Sequence, residues 1–290
     1  MRFRRLGEIA TNILASGNGW SVGEVVCTAG PQDRPYEEQH HAISIAVVLE
    51  GTFQYRSAFG SAVMSPGSIL LGNMGQCFEC GHEHAAGDRC LAFYYTPEFF
   101  DRAHLANRFS VHRIPPMAAL APYVVEARRA VHMPQNEIFE EVSHELAAAV
   151  LQVLGTNQQV GRIPTPADER RISASIRFID ANAAEPLSLK RLASDASMSE
   201  FHFLRVFRQV TGVTPHQYVL RSRLREAALR LTTSSAEVLE IALDTGFRDL
   251  SNFNHAFLAE FGVNPGRFRL NPRKSHADSR DKKTASEARR

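Results

Sequence analysis

The sequence predicts an α+β protein of two domains: an N-terminal β-barrel domain with C-terminal helices of its own, and an all-α domain with two helix-turn-helix motifs joined by a linker helix. Three observations predict this fold class. The chain has 290 residues, which is enough for two ordinary domains. Short apolar runs between turn formers occupy residues 20–95, and one motif in the C-terminal half occurs twice.

The N-terminal half begins with segments that have the composition of strands. Apolar and β-branched residues predict strands at 43–49, 53–56 and 69–71. Turn formers at 50–52 and 65–68 separate these strands. Short strands at such close spacing are typical of a small barrel or a jelly roll.

From Pro97 onward the apolar residues follow a helical period. This spacing predicts helices at 99–105, 118–131 and 138–154. The last helix has an apolar stripe formed by Phe139, Val142, Leu146, Ala149, Val150 and Val153. The stripe either packs on the β-domain or forms the seam of a dimer, and both uses remain open.

Composition marks the domain boundaries. Residues 155–167 are rich in turn formers and weakly apolar, which predicts a linker between a domain at 1–154 and a domain at 168–272. Residues 273–290 are polar and charged, which predicts a disordered tail.

The charge differs between the two halves. Residues 1–167 contain 12 Lys and Arg against 16 Asp and Glu, whereas residues 168–274 contain 16 against 12. The positive balance of the second half fits a surface that faces phosphates. Four cysteines in a chain of this length do not indicate a disulfide scaffold, and no segment has the apolar length of a membrane span. We therefore expect a cytoplasmic protein without a membrane partner.

The repeated motif predicts two similar helical units. Leu192-Ala193-x-x-Ala196-Ser197-Met198 returns as Ile241-Ala242-x-x-Thr245-Gly246-Phe247, and each copy ends in Phe-x4-Gly-Val-x-Pro. A short helix, a tight turn and a second helix in each copy have the order of a helix-turn-helix. The units are predicted at about 188–211 and 237–261, after a helix at 168–182 and with a helix from Pro215 to about Leu231 between them.

The second helix of the first unit has a core face and an outward face. Ser199 is placed to cap it, and Phe203, Val206, Phe207 and Val210 share the core face. The outward residues proposed to contact DNA are Phe201, Leu204, Arg205 and Arg208. Arg205 is suited to guanine O6 and N7 and Arg208 to phosphate, while Phe201 and Leu204 suit thymine methyl groups.

The second unit has the same division. Asp249 is the predicted cap, and Phe253, Ala256, Phe257 and Phe261 form the core face. The outward residues proposed to contact DNA are Leu250, Ser251, Asn254 and His255. The carboxamide of Asn254 can bond to adenine N6 and N7 together.

A longer pattern in the second unit resembles a known family. The pattern reads Ile241-Ala242-x3-Gly246-Phe247-x-Asp249-x-Ser251-x-Phe253-x3-Phe257-x3-Phe261-Gly262-x2-Pro265-x2-Phe268-Arg269. It is similar to the signature of the AraC/XylS transcription regulators, and the resemblance covers residues 168–270. It implies that the two recognition helices enter successive major grooves on one DNA face. Base contacts are implied for Phe201, Leu204, Arg205, Leu250, Ser251, Asn254 and His255. Leu250 stands where a polar residue is often found, and Phe268 where many members have Tyr.

The resemblance also implies a cupin-like sensor or dimerisation domain at 1–154. The partner it implies is double-stranded DNA at a promoter or operator. RNA polymerase, a small-molecule effector and a second copy of the chain are further candidate partners.

One cluster in the N-terminal half has metal-ligating residue types. It consists of Cys77, Cys80, His82, His84 and Cys90. If residues 80–84 are extended, Cys80, His82 and His84 share one face, and thiolate with imidazole suits zinc or another divalent metal. A thiol-based redox sensor and a loop without metal remain the alternatives. His40 and His41 are adjacent and would point to opposite faces of a strand, which disfavours a metal-dependent cupin enzyme.

The sequence thus favours a sequence-specific DNA-binding transcription regulator, an activator or a repressor, whose N-terminal domain senses an unknown small ligand or mediates dimerisation. We do not expect an enzyme, because no cysteine stands in a nucleophile motif and no glycine-rich phosphate loop is present. The alternative is a DNA-associated enzyme or a metal or thiol sensor that uses the cysteine- and histidine-rich N-terminal loop.

Overall fold

A computed structural model of the protein describes residues 9–33, 35, 37–82, 87–101, 109–132, 136–156 and 165–270. The strands are β1 Ile9–Gly17, β2 Trp20–Cys27, β3 Glu37–Gln39, β4 Ile43–Gly51, β5 Phe53–Ser57, β6 Gly60–Met64, β7 Ile69–Gly72, β8 Cys77–Gly81, β9 Asp88–Tyr95 and β10 Arg113–Ile114. The helices are α1 Pro97–Asp101, α2 Ala121–His132, α3 Asn136–Thr156, α4 Pro166–Asn182, α5 Leu189–Asp195, α6 Glu200–Thr211, α7 Pro215–Thr233, α8 Val238–Asp244, α9 Leu250–Phe261 and α10 Pro265–Leu270. A short 3-10 helix, Ala118–Leu120, precedes α2.

The N-terminal half contains two antiparallel sheets. The first has the strand order β1-β2-β9-β4-β7-β10 and the second the order β3-β8-β5-β6. No described strand belongs to both sheets, so the predicted barrel is not closed. The region also begins earlier than the predicted residue 20, because β1 pairs with β2 as an edge strand.

The chain changes from the first sheet to the second between β4 and β5. Gly51 has a φ of +79°, and a Cβ at this position would lie 2.5 Å from the carbonyl oxygen of Gly87. Glycine therefore permits a sharp change of direction here. The backbone groups of β5 then pair with β6 and β8 in the second sheet.

The two faces of the six-stranded sheet have different neighbours. One face contributes Val22, Ile45, Val47, Leu91 and Phe93 to a core shared with α2 and α3. The other face turns Ala46, Val48, Cys90 and Ala92 toward Phe53 and Tyr55 of the second sheet. The alternation of buried side chains to both faces follows from the two-residue period of a strand.

The apolar stripe of α3 packs on this sheet, which is one of its two predicted uses. Phe139, Val142, Leu146 and Val150 are buried in the shared core. The Tyr95 hydroxyl donates a hydrogen bond to the carbonyl of Ser143 at 2.8 Å. Because the chain's own sheet covers this stripe, a dimer seam would have to use another surface.

The C-terminal half consists of helices around two aromatic cores. The first core surrounds Phe203 and Phe207 and the second surrounds Phe253 and Phe257. Helix α7 contributes to both, through Tyr218 to the first and through residues such as Leu224, Ala227, Ala228 and Leu231 to the second. No helix among the described residues is long and apolar enough to cross a membrane.

Several predicted segments differ from the structure or fall outside it. The helix predicted at 99–105 is Pro97–Asp101, and residues 102–108 lie outside the described part. Helix α3 extends to Thr156, so only part of the predicted linker remains, and residues 157–164 of it are not described. The predicted tail at 273–290 also lies outside the described residues.

The repeated motif forms two helix pairs with the same turn. We call α5 and α6 the first helix pair and α8 and α9 the second helix pair. In the first, the amide of Met198 donates to the carbonyl of Ala193 and that of Ser197 to Ser194. In the second, Phe247 donates to Ala242 and Gly246 to Leu243. Both patterns are Schellman motifs, which close a helix through a residue in the left-handed region.

The left-handed residue differs between the pairs: Ser197 has a φ of 53° and Gly246 a φ of +92°. A Cβ on Gly246 would overlap the carbonyl oxygen of Ala184. We predict that Gly246→Ala lowers the free energy of unfolding by on the order of 2 kcal/mol. Ser197→Gly is the matched control and should change it by less than about 1 kcal/mol.

Urea unfolding of the full-length chain, followed by circular dichroism, measures both values. Equal losses for the two variants would contradict the role assigned to the contact between Gly246 and Ala184.

Candidate nucleic-acid interface

Helix α6 begins with a side-chain cap and divides into two faces. The hydroxyl of Ser199 accepts a hydrogen bond from the amide of His202 at 3.3 Å. Phe203, Val206, Phe207 and Val210 are buried, as the sequence predicts. Leu204, Arg205 and Arg208 are exposed, while the side chain of Phe201 lies outside the described part. Neither arginine forms an ion pair with another described residue, so both guanidinium groups face solvent.

Helix α9 has the same arrangement. The carboxylate of Asp249 accepts a hydrogen bond from the amide of Asn252 at 2.7 Å. Phe253, Phe257 and Phe261 are buried, and Ala256 is half-buried. Ser251 and His255 are exposed, whereas Asn254 and Leu250 are half-buried. Leu250 packs against the second aromatic core, so much of its side chain already has an apolar neighbour.

Arg223 on α7 connects the end of α4 to the second helix pair. Its guanidinium donates hydrogen bonds to the carbonyls of Ala183 at 2.6 Å, Gly246 at 2.7 Å and Glu185 at 2.9 Å. Ala183 and Glu185 follow the end of α4, and Gly246 lies in the turn between α8 and α9. Loss of solvent, with the charge of Arg248 nearby, lowers the pKa of Arg223. The sequence pattern did not indicate this residue, because it lies on the connecting helix outside both motifs.

Asp180 joins α4 to α7. It accepts hydrogen bonds from the hydroxyls of Tyr218 and Ser222, both at 3.1 Å, and lies 3.9 Å from the buried guanidinium of Arg225. Loss of solvent raises the pKa of Asp180, although Arg225 and both hydroxyl donors act to lower it. The position of α7 is therefore fixed by polar contacts as well as by the two cores.

Helices α4 and α6 also contact the N-terminal half. Arg113 of β10 donates to the carbonyls of Val63 at 3.2 Å and of Val210 at the end of α6. On α4, Arg177 donates to the Thr52 hydroxyl at 2.9 Å, and Glu169 accepts a hydrogen bond from Gln54. The outward faces of α6 and α9 are not involved in these contacts.

A cavity of about 660 Å³ lies between the two sheets. Its wall is mainly apolar and aromatic, with side chains such as Phe53, Phe78, Tyr55 and Leu70. Polar side chains also line it. Among them His40 lies 2.8 Å from the Tyr55 hydroxyl through Nε2, and burial, with the charge of His41, lowers the pKa of His40 to about 4. This residue is neutral near pH 7.

The predicted cysteine and histidine cluster is only partly assembled. Cys80, His82 and Cys90 line the cavity. Cys77 is exposed on the other face of β8, because successive strand residues point to opposite sides. His84 lies outside the described residues. Two further cavity residues were not in the predicted set, Cys27 on β2 and Asp88 on β9.

Comparison with known proteins finds a matching domain family and several similar proteins. A helix-turn-helix domain family matches residues 192–271. The transcriptional activator AarP of Providencia stuartii is 34% identical over 99 residues, which are 34% of this chain and 73% of AarP. The regulatory protein SoxS of Salmonella typhimurium is 32% identical over 98 residues, which are 34% of this chain and 92% of SoxS.

The chain belongs to the AraC/XylS family of transcription regulators. The resemblance seen in the sequence is thereby confirmed, and this AraC/XylS protein is a DNA-binding transcription regulator. The DNA-binding domain of AdpA, solved in complex with a target DNA, aligns with 37% of this chain and 96% of that chain at 28% identity and a TM-score of 0.35. The alignments with AarP and SoxS each cover about a third of this AraC/XylS chain.

The contribution of Arg223 to the stability of this AraC/XylS domain can be tested. We predict that Arg223→Ala lowers the free energy of unfolding by about 2 kcal/mol, because three carbonyls lose a charged donor. Arg230→Ala is the matched control on the same helix, since Arg230 is 42% exposed and pairs with Glu226 and Asp244. Its loss should cost less than about 1 kcal/mol.

Thermal unfolding and urea unfolding of the two full-length variants measure the difference. A loss in Arg223→Ala no larger than that in Arg230→Ala would refute the connecting role of Arg223.

Proposed function

We propose that this AraC/XylS regulator inserts α6 and α9 into successive major grooves on one face of the DNA. The observation that supports this proposal is the similarity of the two helix pairs: each has a capped second helix, the same turn and an outward face that makes none of the contacts with the N-terminal half given above for the described residues. Together they form two helix-turn-helix units within a DNA-binding domain at 168–272. Helix α7, which contributes to both aromatic cores, holds the units at a fixed separation, and Arg223 joins it to the end of α4 and to the turn of the second unit. Successive major grooves lie about 34 Å apart along the duplex.

The first unit reads bases with Arg205 and binds the backbone with Arg208. Both side chains are exposed, and they stand one turn apart on α6. Arg205 is suited to a bidentate contact with guanine, whereas Arg208 near the helix end is suited to a phosphate oxygen. Leu204 is 38% exposed beside them and can pack on a thymine methyl group. Phe201 is proposed from the family pattern alone.

The second unit reads bases with Asn254, supported by Ser251 and His255. The side-chain amide of Asn254 has no hydrogen-bond partner among the described residues, so its donors and acceptor are available to an adenine edge. Part of the Leu250 side chain packs against the second aromatic core, and the rest lies on the outward face. Its contact with DNA is therefore limited to apolar contact with a thymine methyl group.

The N-terminal domain, at 1–154, is proposed to be a cupin-like sensor of a small molecule. The cavity between the sheets supports this proposal, since it has the size and the mainly apolar wall of a ligand site. Polar groups such as His40 and Tyr55 would orient the ligand. A homodimer, contact with RNA polymerase and a cytoplasmic location stay predictions.

Selection of genomic fragments by the full-length protein tests the proposed function. We expect a motif of two boxes whose centres are about one helical turn apart. Binding without sequence preference would contradict the proposal.

Arg205→Ala tests the assignment of base readout on the selected site. We predict a loss of about 1 to 3 kcal/mol in binding free energy on that site and little change on unrelated DNA, because the contact is to a base. Arg208→Ala should weaken binding to both DNAs alike and reduce the salt dependence, because its contact is to phosphate.

Fluorescence anisotropy at several salt concentrations measures these effects, with Arg230→Ala as a control outside the interface. An equal loss on both DNAs for Arg205→Ala would reassign this residue to the backbone.

A further inference from the structure

A group of metal-ligating side chains lies in the wall of the cavity. Cys27 on β2 and Asp88 on β9 are directly opposite each other in the antiparallel ladder, so their side chains share a face. Cys90 lies two residues after Asp88 and therefore points to the same side. His82, just after β8, reaches the group from the second sheet. Strand register thus brings together residues that are up to 63 positions apart in the chain.

The donor atoms converge around the imidazole of His82. Its Nε2 lies 2.5 Å from Asp88 Oδ2, and its Nδ1 lies 4.0 Å from Cys27 Sγ. One donor atom from each of Cys27, His82 and Asp88 lies within 4.8 Å of the other two. The Cys90 thiol donates to Asp88 Oδ1 at 3.5 Å. All four side chains are largely shielded from solvent.

We propose that Cys27, His82 and Asp88 bind one divalent metal ion of the zinc type, with Cys90 beside the ion. Zinc takes thiolate, imidazole and carboxylate ligands at about 2.0–2.3 Å, which places neighbouring donor atoms about 3.5 Å apart in a tetrahedral site. The contacts of 2.5 and 4.0 Å involve different nitrogens of the imidazole, whereas only one nitrogen binds a given ion. One donor atom from each residue lies within 4.8 Å of the others, so side-chain rotation must draw the three donors closer around the ion.

The chemistry of the surroundings also favours a cation. No lysine or arginine is among the described residues that line the cavity, whereas Asp88, Glu38 and three thiols are. The ring of His82 stacks on Phe53 with centroids 5.9 Å apart, which restrains its orientation. On binding, the ion displaces the Cys27 thiol proton and any proton on the imidazole nitrogen that becomes a ligand, and these protons pass to solvent. The fourth coordination position is left to water or to a ligand in the cavity.

The site differs from the set predicted from the sequence. His82 is common to both, whereas Cys77 lies on the other face of β8. The chain therefore contains both a cysteine to test and a cysteine that serves as its control. Cys27 is a ligand in the proposal, and Cys77 is a cysteine that cannot reach the ion.

Cobalt binding to the reduced, chelator-treated full-length protein tests the proposal. We expect one Co²⁺ for each chain, with the absorption of thiolate-to-cobalt charge transfer, and competition by Zn²⁺. Cys27→Ser should abolish the charge-transfer band. Cys27→Ser and His82→Gln should each weaken Zn²⁺ binding by at least roughly tenfold. Cys77→Ser should leave both readouts unchanged.

Three results would overturn the proposal: no charge-transfer band in the unsubstituted protein, a band that survives Cys27→Ser in a folded variant, or a loss in Cys77→Ser as large as in Cys27→Ser. Circular dichroism shows whether each variant is folded. If Cys27→Ser does not fold, the Zn²⁺ affinity of His82→Gln decides. The measurement needs no DNA, so its outcome is independent of the proposed DNA contacts.

Discussion

The three hydrogen bonds of Arg223 are the contact on which the geometry of the helical half depends. They join the end of α4 to the turn between α8 and α9, while α7, on which Arg223 lies, contributes to both aromatic cores. Two helices that enter separate grooves of one duplex must keep a fixed separation and orientation. If α7 were free to move, ordering of the two units on DNA would cost conformational entropy. A rigid connection removes most of that cost before binding.

Local features of the helical half could be predicted from the sequence. The repeat, the caps Ser199 and Asp249 and the buried face of Phe203 and Phe207 all depend on residues within one or two helical turns. Helix periodicity and capping are properties of short segments, so a single sequence contains them. The half-buried state of Leu250 was missed, because its neighbours in the second core come from other helices.

The N-terminal half was less predictable for a physical reason. Strand β1 was missed because most of its side chains are at least partly exposed, so it lacks the apolar alternation of a core strand. Closure of a barrel depends on which strand edges pair, and these pairings join segments far apart in the chain, such as β4 with β9 and β5 with β8. In the same way, Cys27 joins His82 and Asp88 only through the register of β2 with β9. Such pairings are absent from any local pattern.

The two halves complete each other's cores. Val63 of β6 lies in the first aromatic core, and Ala121 and Val125 of α2 lie in the second. The apolar surface that buries each helix pair is therefore supplied in part by the N-terminal half. By thermodynamic linkage, a ligand that binds the native sheets and not the unfolded chain adds its binding free energy to the stability of every element that unfolds together with them. Occupancy of the cavity would thus slow the amide hydrogen exchange of α6 and α9 that proceeds through joint unfolding with the sheets, although no described residue of either helix lines the cavity.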